Sequence, residues 1–198
     1  YATREEISWA VLNPAPGVLD WTPLDTWIAV AVAQGRQISF RVYTMRGEEW
    51  GGHQVPQWVL DEGALILDNG EPDYSNCVYQ AEGARMVEAL SLRYDGRAEI
   101  AFIDISGYGD FNEWSWRDYQ TEWDEDALAP ATLDGQARRR LVDMFVGGSN
   151  EAHECRTADG TVETVVYDYT GFQQTQLVMP YAGVRQSIQY AVSREANV

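Results

Sequence analysis

The sequence contains no lysine, only two cysteines and two histidines, and no long apolar run. Its 14 basic residues are all arginine, and they stand against 31 acidic residues, which gives a formal net charge of −17. A strongly negative chain repels phosphate backbones and anionic lipid headgroups, so we expect no nucleic-acid partner. Because no apolar run reaches about 18 residues, we expect no membrane insertion either.

The few cysteine and histidine residues leave little room for metal chemistry. No CxxC or HxxxH spacing occurs among Cys77, Cys155, His53 and His153, so we expect no zinc site and no cofactor. Cys77 and Cys155 are compatible with two buried thiols or with one disulfide, and both alternatives stay open. The acidic residues 122–126 lack the spacing and the glycine of an EF-hand, which favours a solvated loop.

Strand-like and helix-like segments alternate along the chain. We predict strands at residues 6–12, 37–45, 99–106 and 177–181. We predict four helices. The first has Thr22 as its N-cap and ends at Gly35, and the others cover about residues 76–94, residues 137–145 and residues 186–194. Asp159-Gly160 is typical of a hairpin turn, and the three consecutive arginines 138–140 are predicted to lie on a solvated helix face.

Alternating strands and helices favour an α/β fold with a parallel sheet. An open doubly wound sheet and a closed (β/α)8 TIM barrel are the two alternatives. No glycine-rich phosphate loop follows any predicted strand, which favours the barrel. Since a barrel typically needs about 250 residues, we expect one domain over residues 1–198 that forms a TIM barrel or part of one.

In a parallel barrel, functional side chains lie after the carboxyl ends of the strands. The residues found there are aromatic, acidic or able to donate hydrogen bonds, and they suit a carbohydrate, whose C–H faces pack on aromatic rings. The predicted substrate-binding residues are Trp9, Arg41, Tyr43, His53, Trp58, Asp104, Asn112, Trp114 and Tyr181.

Tryptophan is frequent, with eight residues in the chain. Five of them fall in predicted loops, namely Trp50, Trp58, Trp114, Trp116 and Trp123. They are candidates for sugar platforms, although a tryptophan in a loop also often covers the core. Arg41 is open to two interpretations, a contact with substrate or a buried ion pair with Asp104, and the ion pair is slightly favoured.

Three motifs in order carry a resemblance to a known family. Residues 9–21 read WAVLNPAPGVLDW, residues 56–58 read PQW and are predicted to end a strand, and Asn112-Glu113 precedes Trp114. This pattern resembles clan A glycoside hydrolases, in particular the family 42 β-galactosidases, over residues 7–116. The resemblance implies a (β/α)8 TIM barrel or a partial barrel covering roughly strands two to five, and a carbohydrate substrate. We expect the protein outside the cell or at a bacterial cell surface.

The resemblance also implies roles for the Asn-Glu pair. Glu113 matches the general acid/base, which protonates the leaving oxygen and later deprotonates water, and Asn112 matches the residue that bonds the sugar 2-hydroxyl. The nucleophile of such enzymes follows strand seven, so no residue here is assigned to it, and a further chain or a homo-oligomer is a possible way to complete the barrel. The alternative function is a non-catalytic carbohydrate-binding or structural protein on the same scaffold.

Overall fold

The computed structural model of the protein describes residues 7–47, 51–109, 111–114, 132–148, 152–179 and 185–194. Within these ranges the predicted alternation of helices and strands is present. The helices are α1 (Trp9–Leu12), α2 (Thr22–Ala33), α3 (Gln57–Asp61), α4 (Cys77–Tyr94), α5 (Leu133–Val146) and α6 (Arg185–Ser193). The strands are β1 (Ile38–Phe40), β2 (Ile100–Asp104), β3 (Ala152–Arg156), β4 (Val162–Val166) and β5 (Leu177–Val178).

A parallel sheet of β1, β2 and β5, in this spatial order, lies at the centre of the described structure. Ile103 of β2 is opposite Phe40 of β1 on one side and Leu177 of β5 on the other. A further parallel bridge joins Ser8 to Tyr43. Four parallel segments therefore lie side by side in chain order, and their carboxyl ends meet at one edge. Among the described residues the sheet is not closed.

The strand predicted at residues 37–45 is confirmed only over Ile38–Phe40, where Ser39 is half-buried, and residues 41–45 after it are all buried. Ile38, Phe40 and Val42 are buried, as an apolar face requires. Arg41 and Tyr43, which alternate with them in the sequence, are also only 7% and 5% exposed. The polar face predicted for this segment is therefore not exposed.

α4 and α5 begin where a polar side chain caps the first turn. Asn76 Oδ1 accepts hydrogen bonds from the N–H groups of Val78 and Tyr79 at 2.9 and 3.0 Å. Thr132 Oγ1 accepts one from the Gly135 N–H at 3.0 Å. These oxygens satisfy backbone donors that a helix start otherwise leaves unpaired. The start predicted near residue 76 is therefore confirmed.

Three local predictions need correction. Thr22 is the first residue of α2 and Trp21 is its N-cap, but the Trp21 side chain makes no capping hydrogen bond, and Asp20 Oδ1 accepts the Thr22 N–H at 2.9 Å. The strand predicted at residues 6–12 turns into α1 after Ser8, whose hydroxyl accepts the Val11 N–H at 3.4 Å and caps the turn. Residues 56–58 open α3 instead of ending a strand, since proline is well suited to the start of a helix.

An antiparallel hairpin of β3 and β4 follows α5, and its turn contains the predicted Asp159-Gly160 pair. Cys155 of β3 forms a disulfide with Cys77 at the start of α4. The alternative of two free thiols is therefore wrong. Arg156 extends this contact, because its N–H donates to the Ser75 carbonyl at 2.8 Å. The hairpin is thus fastened to the start of α4.

The arginines of α5 contradict the predicted solvated face of residues 138–140. Arg138 and Arg140 are 2% and 0% exposed. Arg138 pairs with Asp134 at 3.4 Å, and the Arg140 guanidinium lies 4.9 Å from the centre of the Tyr167 ring. α5 packs against α4, α6 and β3, and the first of these lies far away in sequence. Since the burial arises from such packing, a local charge pattern could not reveal it.

Most of the buried apolar side chains of the described residues form one cluster, which extends from α1 to α6. None of the described helices combines the length and the apolar character that a membrane span needs. A continuous core therefore supports the edge at which the strands end, and the predicted site residues can be located relative to this edge.

Candidate active site

Arg41 lies at the centre of the edge where the parallel strands end. Its Nε and Nη2 atoms donate to Asp104 Oδ2 at 2.9 and 2.8 Å. Asp104 is the last residue of β2, which pairs with β1, so the sheet itself brings the two side chains together. Both are nearly fully buried. The ion-pair interpretation of Arg41 is confirmed.

The remaining nitrogen of Arg41 reaches the segment that contains the Asn-Glu pair. Arg41 Nη1 donates to the Phe111 carbonyl at 2.9 Å and to Glu113 Oε1 at 3.2 Å. The Glu113 side chain is 42% exposed, whereas the Asp104 side chain is 4% exposed. One guanidinium thus joins a buried carboxylate to a carboxylate that solvent reaches. Glu113 lies on a loop nine residues after the end of β2 and not at the strand terminus.

The loop carrying Glu113 has an unusual backbone. Phe111, Asn112 and Trp114 have φ angles of 54°, 54° and 59°, in the left-handed region that side chains disfavour. Each such residue costs about 1–3 kcal/mol and persists only where its surroundings hold it in place. Glu113 therefore lies between left-handed neighbours, and the contacts that hold them determine where its carboxylate points.

Asn112 supplies the contacts on one side of Glu113. Its Oδ1 accepts hydrogen bonds from the N–H groups of Thr44 and Met45 at 2.6 and 3.4 Å, and its Nδ2 donates to Thr44 Oγ1 at 2.9 Å. The residue is fully buried. Both ends of the amide are occupied inside the protein, in place of the predicted contact with a sugar hydroxyl.

Trp114 and Trp9 are core residues and not exposed platforms. Trp114 has no exposed surface, donates through Nε1 to the Ile105 carbonyl at 2.9 Å and stacks on Tyr108 at 5.5 Å. Trp9 is 1% exposed and meets the ring of Tyr79 edge-on, also at 5.5 Å. Burial of such large aromatic surfaces stabilises the fold. Their burial is at odds with the sugar contacts predicted for them.

Three other predicted binding residues lie near the same edge with different exposure. Tyr43 is 5% exposed and lies below the Arg41 guanidinium, which is 5.9 Å from its ring centre. His53 is half-buried and is bridged to Met45, and burial lowers the pKa of its imidazole. Trp58 is half-buried and donates through Nε1 to the Asn13 carbonyl at 2.9 Å. His53 and Trp58 retain surface that a ligand can touch.

One acid near this edge was not predicted from the sequence. Burial raises the pKa of Asp134, and the charge of Arg138 opposes this rise. The Tyr108 hydroxyl donates to Asp134 Oδ2 at 3.4 Å, and Tyr108 in turn stacks on Trp114. The Asp134 side chain is 30% exposed, and a carboxyl group with a raised pKa that solvent still reaches is a candidate proton carrier. No sequence pattern distinguishes Asp134 from the other acidic residues, because the rise in its pKa is caused by packing in the folded protein.

Four aromatic residues singled out in the sequence, Tyr181, Trp50, Trp116 and Trp123, lie outside the described residues. Within the part of the chain that the structure describes, no group of three or more His, Cys, Asp or Glu side chains is arranged to hold a metal ion. The residues that the fold does bring together are Arg41, Asp104 and the loop of residues 111–114.

Comparisons with known proteins give partial matches. No protein-family model matches the sequence. Over 117 residues, or 57% of the chain, the sequence is 32% identical to a beta-galactosidase of Thermus thermophilus. Over 114 residues, or 55% of the chain, it is 32% identical to the beta-galactosidase BgaA of a Thermus species. The matched segments are 17% and 18% of these relatives, so the chain spans about a sixth of their length.

Among solved structures, the crystal structure of a beta-galactosidase from the psychrophilic Marinomonas ef1 matches 63% of this chain and 19% of that chain. The TM-score is 0.43 and the sequence identity is 24%. The two sequence matches support the predicted relationship to glycoside hydrolases, at partial coverage.

Proposed function

We propose that this chain is a glycoside hydrolase or a part of one, and that Glu113 is its general acid and base. The observation that carries the proposal is the placement of Glu113, half-exposed at the carboxyl edge of a parallel sheet and held through one oxygen by a buried arginine. The sequence relatives add the substrate class, because both are beta-galactosidases. We therefore propose a β-galactoside as the first substrate to test.

The geometry suggests how the carboxyl group works. Arg41 engages Oε1 of Glu113, and among the described residues Oε2 has no hydrogen-bond partner. In the proposed mechanism Oε2 carries the proton to the leaving glycosidic oxygen and afterwards takes a proton from the attacking water. A retaining enzyme needs a second carboxylate about 5–5.5 Å away as nucleophile, and an inverting enzyme needs one about 6.5–9.5 Å away as base. We assign no residue of this chain to that role.

The proposed scaffold is a partial TIM barrel of the clan A, family 42 type, formed as one domain over residues 1–198. Its support is the order of the four parallel segments, each beside the next along the chain. A doubly wound sheet would reverse its strand order near the start. Substrate contacts are proposed for the accessible residues His53 and Trp58, and also for Tyr181, whose placement stays a prediction.

The test compares Glu113→Gln with a matched control. The glutamine side chain keeps the shape and the acceptor for Arg41 but cannot transfer a proton. We therefore expect hydrolysis to fall by about 10²–10⁴-fold while the dissociation constant for galactose stays nearly unchanged. The control is Glu99→Gln, which removes a carboxylate at the opposite end of β2, where it pairs with Arg97 at 3.1 Å. It should leave the rate unchanged.

Two results would contradict this proposal in different ways. An unchanged rate in Glu113→Gln removes Glu113 from the mechanism. Saturable galactose binding by the unmodified protein without any hydrolysis favours the alternative, a non-catalytic carbohydrate-binding protein. The burial of Trp9 and Trp114 weakens that alternative, because it takes two aromatic side chains away from a binding surface.

A further inference from the structure

The hydroxyl of Thr44 lies at a junction between the Glu113 loop and two other elements. Thr44 follows β1, is 9% exposed and receives the Nδ2 hydrogen bond of Asn112 at 2.9 Å. The Tyr79 hydroxyl on α4 donates to the Gly107 carbonyl at 2.9 Å and lies 3.1 Å from the same Thr44 oxygen. The chain after β1, α4 and the loop after β2 therefore meet at one hydroxyl group.

We propose that Thr44 is a positioning residue for Glu113 and acts through the amide of Asn112. This inference rests on the proposed acid/base function of Glu113. Thr44 makes two of the three contacts that fix the amide, since its N–H donates to Oδ1 at 2.6 Å and its hydroxyl accepts from Nδ2, while the Met45 N–H adds a longer contact at 3.4 Å. The amide in turn holds Asn112 at a φ of 54°. No feature of the sequence marks Thr44, because its partner is 68 residues away.

Glu113 depends on this anchor because it is fixed from both sides. Asn112 is held by Thr44 on one side, and Trp114 is held by the Ile105 carbonyl on the other. Both neighbours have left-handed backbone conformations, which relax toward the ordinary regions once a restraint is lost. Loss of the Thr44 hydroxyl leaves the buried Nδ2 group without its acceptor, so the loop rearranges and the Glu113 carboxyl group moves.

A displaced carboxyl group affects one part of the reaction more than the rest. Proton transfer to the leaving oxygen requires hydrogen-bond distance and alignment, so it is sensitive to shifts of about 1 Å. Departure of a leaving group that needs no proton is insensitive to the same shift. The two kinds of substrate therefore separate a positioning effect from a general loss of folded protein.

The experiment measures kcat/KM of Thr44→Val and Thr44→Ser on two substrates. Methyl β-galactoside has a leaving group that needs a proton, and 2,4-dinitrophenyl β-galactoside has one that does not. Thr44→Val should lose at least about tenfold on the methyl substrate, through kcat, and stay within about twofold on the dinitrophenyl substrate. Thr44→Ser keeps the hydroxyl and should restore the methyl substrate to within about threefold of the unmodified protein.

The matched control is Ser91→Ala, which removes a buried hydroxyl bonded to the Glu88 carbonyl on the same helix as Tyr79. It should change neither substrate. Thermal unfolding checks that each variant is folded, and Thr44→Ala replaces Thr44→Val where the valine variant does not fold.

The outcomes separate this inference from the function on which it rests. Glu113→Ala, measured in parallel, must lose the methyl substrate selectively, and if it does not, the acid/base proposal fails. If Glu113→Ala behaves as expected and Thr44→Val lowers both substrates equally or neither, the positioning role of Thr44 is wrong. A selective loss in Thr44→Val that Thr44→Ser does not restore also overturns it, because the hydroxyl would then not be the cause.

Discussion

Two buried arginines in this protein, Arg41 and Arg140, differ in how many hydrogen-bond partners their guanidinium groups have. Arg41 uses all three guanidinium nitrogens, with Asp104 on one side and Glu113 and the Phe111 carbonyl on the other. Arg140 in α5 is fully buried, yet none of its three nitrogens has a hydrogen-bond partner among the described residues. Its described contacts are the Tyr167 ring, 4.9 Å away, and the Tyr169 hydroxyl, where the charge of Arg140 opposes the rise in pKa that burial causes.

The difference indicates where the fold requires a charge. A buried guanidinium is costly unless acceptors surround it, and a geometry that satisfies every nitrogen fixes the acceptors as firmly as the donor. Arg41 therefore holds two carboxylates in defined positions at the sheet edge. The ring contact of Arg140 offsets only part of its burial cost, so its charge contributes little to the native structure.

The largest effect is expected from breaking the satisfied arginine. Arg41→Met leaves Asp104 buried without its cation, which should lower the free energy of unfolding by about 3–5 kcal/mol in urea titrations. It also frees Glu113, so hydrolysis should fall with stability. The control is Arg93→Met, which breaks the exposed pair with Asp25 and should cost less than about 1 kcal/mol. Equal losses in both variants would contradict the special role of Arg41.

A smaller effect of opposite sign is expected from Arg140→Met. The substitution puts an apolar side chain of similar length in place of a buried charge whose nitrogens have no hydrogen-bond acceptor among the described residues, so stability should be unchanged or rise by about 1 kcal/mol. Arg139→Met is the matched control, because Arg139 has a similar ring contact, 4.8 Å from Tyr190, but is only half-buried. A loss above about 2 kcal/mol in Arg140→Met would show that the charge is compensated after all.

The smallest effect on stability is expected at Asp95, whose carboxylate lies at the opposite edge of the sheet. Burial alone would raise the pKa of Asp95, but the N–H groups of Gln173, Thr175 and Gln174 outweigh it and lower the pKa. These contacts contribute stability above the ordinary Asp pKa of about 3.9, and the contribution is lost as the pH falls through the lower folded pKa. Because Asp95 is largely solvated, the contribution is less than about 1 kcal/mol.

Asp95→Asn should therefore be less stable than the unmodified protein at pH 7, with the gap closing below about pH 4. Urea midpoints measured from about pH 2.5 to 7 follow this gap. A gap that stays constant over the whole range would mean that the charge of Asp95 does not matter. The control is Asp61→Asn, which changes an exposed carboxylate that accepts a hydrogen bond from Gln57 within α3. It shows how far the loss of any surface carboxylate changes the pH dependence of stability.

Elements with local signals were predictable from the sequence. α4 has a cap residue at Asn76, and β1 alternates apolar and polar residues, so the physical cause of each lies within a few neighbouring residues. The same holds for the turn at Asp159-Gly160. The ion pair of Arg41 with Asp104 was predictable because neighbouring parallel strands end at the same edge.

The rest depended on contacts that only the folded chain provides. Arg138 and Arg140 resemble a solvated face in the sequence, and they become buried because other segments pack on α5. Trp9 and Trp114 look like binding residues for a similar reason, since an aromatic residue after a strand can face either core or solvent. The three positive-φ residues around Glu113 are not glycines, so the residue types did not indicate a left-handed loop.

The most direct test of Glu113 as the general acid is the leaving-group dependence of Glu113→Ala. We predict that hydrolysis of methyl β-galactoside falls by about 10²–10⁴-fold, while release of dinitrophenolate from 2,4-dinitrophenyl β-galactoside stays near the unmodified rate in the first turnover. Equal rates for the variant and the unmodified protein on both substrates, or an equal loss on both, would contradict the assignment of Glu113 as the general acid.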